Sequence, residues 1–229
     1  MALWIITIIF GLLGMVVSGI LQSKFKKYSE VPLGSGLSGR EVAEKMLRGY
    51  GLTDVKVVSV EGKLTDHYNP ADKTVNLSPE VYAGRSVAAA AVAAHECGHA
   101  VQHAEAYSML MLRSKLVPVV QFSSQVLHWI FMLMFMGILF RMFNSPLMLS
   151  VIIGLQAVIT LFAVITLPVE FDASKRGLAF IESSNLTRTE EEQSYAKDAL
   201  TWAGMTYVVA ALASLAQLLY FILQFNRRR

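Results

Sequence analysis

Four stretches of this chain run free of charge for long enough to cross a hydrocarbon core of about 30 Å, which takes around 20 helical residues. One occupies residues 2–22 (ALWIITIIFGLLGMVVSGILQ), one lies between Lys115 and Arg141, one between Arg141 and Glu170, and one between Asp198 and Arg227. Membrane helices are therefore expected at about 2–22, 117–140, 147–168 and 202–225. Asn144, Ser145 and Pro146 supply turn chemistry between the second and third, which predicts a helical hairpin. Elsewhere the pattern changes. Ser38, Gly39, Arg40 and Glu41 form a capping box before an amphipathic stretch that Gly49 or Gly51 would end. VKVVSVEG (55–62) and KTVNLS (73–78) alternate in the strand manner, with Asn69 and Pro70 in the turn between them. A second long helix is expected from Ser78 or Pro79, its Ala-rich core (86–107) combining high helix propensity with little bulk. Residues 173–199 read as helical with a break around Ser183 to Thr187.

This pattern predicts a mainly α integral membrane protein organised as an anchor (1–22), an extramembrane region (23–116), a transmembrane hairpin (117–168), a second extramembrane segment (169–200) and a C-terminal helix with a basic tail (201–229). A cleaved signal peptide fits less well, because no Lys or Arg precedes the first run while Lys24, Lys26 and Lys27 follow it. Composition agrees: 54% of residues are hydrophobic and only 16% charged, against about a quarter in soluble domains, which excludes a disordered chain. Cys97 is the single cysteine, so a disulfide framework and a multi-cysteine zinc site are excluded. Lys24, Lys26, Lys27, Arg113, Lys115, Lys175, Arg176, Arg188 and Lys197 place the two polar regions in the cytoplasm by the positive-inside rule; Arg141, Arg227, Arg228 and Arg229 oppose it. The net charge of +3 reads as this orientation signal, with no nucleic-acid partner expected. Small residues such as Gly154 and Gly204 suit close contacts between helices.

Within the Ala-rich helix stand His95, Glu96, Cys97, Gly98 and His99, the HExxH pattern. Four residues along a helix rise about 6 Å and return to nearly the same face, so two imidazoles can close on one tetrahedral Zn²⁺. Glu96 sits about 100° around from His95, where it can reach a water at the metal without binding the metal. Catalytic zinc usually takes three protein ligands plus water. His103 is a further turn along, about 12 Å from His95 by rise, too far to share the ion and thus a supporting polar group. The third-ligand candidates are Glu170 and Asp172, which two membrane crossings return to the side of His95 and His99.

LTDHYNPADKTVNLSPEVY (64–82), SVAAAAVAAHECGHAVQH (86–103) and LPVEFDASKR (167–176), with this hydropathy layout, resemble the YugP-type membrane zinc metallopeptidases of bacteria. More distantly, Glu170, Phe171, Asp172 and Ala173 are similar to the Glu-Phe-x-Ala-Asp block of HtpX-like and prenyl-protein membrane proteases, where the Glu binds zinc. The resemblance implies a zincin-like α+β catalytic region, one Zn²⁺ per chain, a location in the bacterial cell membrane, and Glu170 as third ligand. The chain departs from that block at Ser174, where the relatives carry an Asp that steadies a zinc-binding His; Asp172 is the candidate for that role, since a ligand imidazole needs an acceptor for its other N–H.

The activity expected is zinc-dependent hydrolysis of peptide bonds in peptide or protein substrates, including membrane-associated ones, with Glu96 as general base and then acid. Tyr207, Tyr195, His67 and Arg176 are candidates for the oxyanion donor, and KTVNLS could offer an edge to an extended peptide. Two rival readings are a membrane scaffold with a structural zinc and an ion transporter using His128, Gln121, Gln125, Gln156 and Gln217. No acidic residue lies within any span, and hydrogen bonding between helices explains these polar groups more economically.

Overall fold

The computed structural model describes residues 2–138 and 145–227. In chain order its elements are α1 (Ala2–Ser29), α2 (Gly39–Gly49), β1 (Lys56–Ser59), β2 (His67–Asn69), β3 (Thr74–Leu77), α3 (Pro79–Ala83), α4 (Val87–Ala104), α5 (Ser108–Phe135), α6 (Pro146–Ser183) and α7 (Glu190–Asn226). Among the described residues, four helices are long and apolar enough to cross a membrane: Leu3–Ser29, Ser108–Phe135, Pro146–Ser183 and Glu190–Asn226. The protein is a mainly α membrane protein with a small sheet.

The long helices do not end where the apolar runs end. α5 begins at Ser108, well before 117, and stops at Phe135; α6 continues past 168 to Ser183, and α7 begins at Glu190. Hydropathy marks the apolar part of a helix, whereas its ends are set by capping and chain breaks. Of the expected turn, Asn144 lies outside the described residues, as do Arg141, Arg228 and Arg229. Ser145 caps α6, its Oγ accepting from the Met148 N–H at 3.2 Å, and Pro146 is the first helical residue.

The chain divides into two compact units, Met1–Val16 with Met111–Leu167 and Thr206–Arg229, and Val17–Leu110 with Pro168–Met205. In the first, Leu127, Leu149, Ile152 and Phe221 form the packed centre. Gln156 of α6 donates from Nε2 to the Ser214 carbonyl and hydroxyl of α7, both at 3.3 Å, and Thr160 Oγ1 lies 2.8 Å from Ser214 Oγ. Buried amide and hydroxyl groups are thus satisfied between helices, as the hydrogen-bonding reading of Gln156 requires. Gly154 does not make the close contact expected of it: a Cβ there would meet nothing within 4 Å, while one on Gly204 would meet the Phe171 ring at 2.8 Å.

The second unit is built around α4. Its small side chains leave Ala88 to Ala91, Ala93, Ala94 and Cys97 buried, so α2, α3, the sheet and the polar ends of α6 and α7 close on it through Met46, Leu47, Val75, Leu77, Val81, Ile181 and Leu200. Cys97 serves packing, with its sulfur 3.7 Å from the Ala43 carbonyl, and burial pushes its thiol pKa up. Two boundaries differ from expectation. The helix expected to run on from Ser78 or Pro79 is two helices, because Gly84 is extended and Ser86 starts α4 anew by accepting from the Ala89 N–H at 3.2 Å. Residues 67–69 form a strand, not only the approach to a turn, giving sheet order β1-β3-β2 with β1 parallel and β2 antiparallel to β3. KTVNLS is therefore the central strand and offers no edge; the edges belong to β1 and β2.

The expected capping box is present: Ser38 Oγ accepts from the Glu41 N–H at 3.3 Å, and Glu41 accepts from the Ser38 N–H at 2.7 Å. The Ser38 N–H and hydroxyl hold the Glu41 carboxyl below its ordinary pKa, so this contribution is present above the unfolded glutamate pKa and is lost as pH falls through the folded value. Ser38→Ala is expected to cost about 1 kcal/mol, seen as a lower melting temperature by thermal shift at neutral pH, with the deficit shrinking in acid.

Candidate metal centre

The site forms where α4 and the polar end of α6 meet backbone to backbone. A Cβ on Gly98 would lie 2.4 Å from the Ala173 carbonyl oxygen, and one on Gly177 would lie 2.9 Å from the Ala94 carbonyl carbon. Glycine at both positions is what permits this approach. Residues 170, 173, 174 and 177 recur at helical spacing on α6, so the face that touches α4 carries Glu170 and Ser174 with it.

Consequently His95, His99 and Glu170 converge, with one ligand atom of each within 4.8 Å of the others. Glu170 Oε2 is 3.4 Å from His95 Nε2 and 3.5 Å from His99 Nε2. Zinc bonded at 2.0 to 2.1 Å in a tetrahedron needs ligand atoms about 3.3 Å apart, which the two separations from Glu170 match. Both imidazoles present Nε2 inward because Nδ1 is engaged: His95 Nδ1 lies 3.0 Å from Ser174 Oγ, and His99 Nδ1 lies 3.0 Å from Gln102 Oε1. Burial alone would lower the His99 pKa, but its hydrogen bond to Glu170 and the charges of Glu96 and Glu170 outweigh it and raise the value. A position that favours an added proton favours a bound cation for the same electrostatic reason.

Glu96 is 8% exposed and points toward the sheet, where its Oε2 accepts from the Tyr68 N–H of β2 at 3.0 Å. Tyr68 also reaches His103, with Oη 2.9 Å from Nδ1, so β2 is fastened to α4 at two points and His103 has a supporting role. Just before β2, the half-buried Asp66 carboxylate accepts from the Ser78 N–H at 2.7 Å; partial burial, against its hydrogen bonds to Ser78, pushes its pKa up.

Asp172 is not the direct partner of either imidazole. Its Oδ2 accepts from Gln102 Nε2 at 2.8 Å and pairs with Arg176 Nε at 2.6 Å, while the imidazole contacts fall to Ser174 and Gln102. Ser174 thus occupies both the departure from the distant relatives' block and the place beside His95. Gln102 carries no motif of its own, and its position three residues after His99, which puts it on the same helix face, is the only local sign of its place beside that imidazole. Among the oxyanion candidates, Arg176 is held by Asp172 and Glu105, His67 is exposed with Nδ1 2.7 Å from the Thr65 carbonyl, Tyr195 bonds to Glu191, and Tyr207 stands on α7.

A family described as "Putative neutral zinc metallopeptidase" matches residues 3–226. The chain is 45% identical over 209 residues to the "Putative membrane protease YugP" of Bacillus subtilis (strain 168), covering 91% of this chain and 90% of that protein. No solved structure matches. With the sequence match spanning nearly the whole chain and the His95, His99 and Glu170 cluster at its centre, the protein belongs to that neutral zinc metallopeptidase family.

Proposed function

We propose that this protein is an integral membrane zinc endopeptidase in which His95, His99 and Glu170 hold a single Zn²⁺ and Glu96 moves the proton. Zinc at this position supplies Lewis acidity toward a peptide carbonyl and acidifies a water. Glu96, the residue beside the first ligand, takes a proton from that water and gives it to the departing amine. The Tyr68 N–H keeps the carboxylate of Glu96 in place, and the surrounding burial limits water at the site. β2 is an edge strand beside Glu96, and an extended peptide adds along its outer edge by backbone pairing other than through the Tyr68 N–H, which Glu96 holds, with sequence preference set by the side chains that alternate along the strand. The polar regions face the cytoplasm, in line with the distribution of Lys and Arg.

The observation that carries this reading is the size of the donor set. Among the described residues the cluster comprises three side chains, and Asp172, the other candidate for third ligand, is committed to Gln102 and Arg176. Three protein donors with a neighbouring Glu match a catalytic site, whereas a structural zinc is closed by four. The test uses full-length protein in detergent micelles with fluorescein-casein and a quenched-peptide library. Metal analysis is expected to give one zinc per chain, and cleavage to stop on treatment with 1,10-phenanthroline and return on adding zinc. Stoichiometric zinc without cleavage, with unfolding on metal removal, would instead establish the scaffold reading.

A further inference from the structure

We infer that Gln102 is a positioning residue, which fixes the tautomer of His99 and locks that imidazole to the helical turn carrying Glu170. The inference rests on the metal centre proposed above. Gln102 is fully buried, at 0% exposure, and its three side-chain hydrogen bonds all fall on the α4–α6 contact that holds the site. Its Nε2 lies 2.8 Å from the Val169 carbonyl oxygen and 2.8 Å from Asp172 Oδ2, and its Oε1 lies 3.0 Å from His99 Nδ1.

The direction of these bonds follows from what each atom can do. A main-chain carbonyl only accepts, and the Asp172 carboxylate paired with Arg176 accepts as well, so the amide NH₂ must face them. Oε1 is then left facing His99, and an amide oxygen only accepts. The proton must sit on His99 Nδ1, which leaves the Nε2 lone pair directed at Glu170 and available to a metal. His95 has no such constraint, since its partner Ser174 is a hydroxyl that can donate or accept. Val169 and Asp172 flank Glu170, so the same amide that orients one ligand also grips the backbone of another. Arg176 braces this arrangement from outside by pairing with Asp172 and Glu105, both at 2.6 Å.

The test measures zinc affinity by competition with a chromophoric chelator, and the d–d absorption of the Co²⁺-loaded full-length chain in micelles. Gln102→Met removes both functions, and is expected to weaken zinc by about 10- to 100-fold and shift the cobalt spectrum. In the zinc-loaded wild-type chain, NMR of ¹⁵N-labelled histidine is expected to show His99 protonated at Nδ1 and bonded to the metal through Nε2. Where Gln102→Met does not fold, Gln102→Asn substitutes for it: the amide is retained but too short to span His99 and Val169, and the same weakening is expected. Zinc affinity within about threefold of wild type in Gln102→Met or Gln102→Asn would overturn the positioning role. His99 bonded to the metal through Nδ1 would overturn the tautomer assignment. Wild-type protein that binds neither zinc nor cobalt would refute the metal centre itself, a result distinct from either.

Discussion

Glu96→Gln is expected to lower cleavage of fluorescein-casein on the order of 10³-fold while the protein keeps one zinc per chain. The substitution changes almost no volume, and the glutamine carbonyl can still accept from the Tyr68 N–H that now bonds Glu96 Oε2 at 3.0 Å. It removes only the capacity to take up and release a proton. A loss of that size corresponds to about 4 kcal/mol of transition-state stabilisation, in the range expected for a positioned acid–base group. His95 and His99 remain held by Ser174 and Gln102, so metal analysis of the variant should match wild type. Cleavage within about tenfold of wild type would exclude Glu96 as the proton carrier. Loss of both zinc and activity would show that Glu96 supports the metal instead.

Gly98→Ala should strain the contact between α4 and α6 more than a methyl group on Gly177 would. The added Cβ would lie 2.4 Å from the Ala173 carbonyl oxygen and 3.0 Å from its carbonyl carbon and Cα, all backbone atoms of α6 that cannot rotate aside. The helices must separate by about 1 Å to reach ordinary contact, and the donor separations of 3.4 and 3.5 Å between Glu170 and the two histidines would widen with them. Metal bonds tolerate about 0.2 Å. Zinc affinity is therefore expected to fall by about 100-fold or more, accompanied by overpacking costs of about 1 to 3 kcal/mol in a melting experiment. Gly154→Ala provides the comparison, because a Cβ there meets nothing within 4 Å. Alanine in place of an unencumbered helical glycine stabilises by about 0.5 to 1 kcal/mol, so one chemical change in two helices should give opposite signs. Gly98→Ala with wild-type zinc affinity would mean that the close approach of α4 and α6 does not set the site.

Several features were legible in the chain because they depend on residues close in sequence. The four apolar runs, the capping box of Ser38 and Glu41, and the helical spacing of His95 and His99 are each set within one or two turns, where solvent preference and helix periodicity act directly. The carboxylates at 170 and 172 were visible as candidates because charge is scarce near the end of an apolar run. Strand β2 was not legible: three residues are too few to show an alternating pattern, and Asn69 and Pro70 read as turn. The central place of β3, and so the loss of its expected edge, depends on which strands pair, which no single strand records. Whether Glu170 or Asp172 meets the imidazoles, and whether Ser174, Gln102 or Asp172 accepts their second N–H, was decided only when Gly98 and Gly177 let two helices from distant parts of the chain touch. The chain by itself determined which residues can carry the chemistry, since that is a matter of functional groups and local period. Tertiary structure decided which of them meet, because that depends on backbone approach at the scale of a tenth of a nanometre between segments that sequence spacing does not relate.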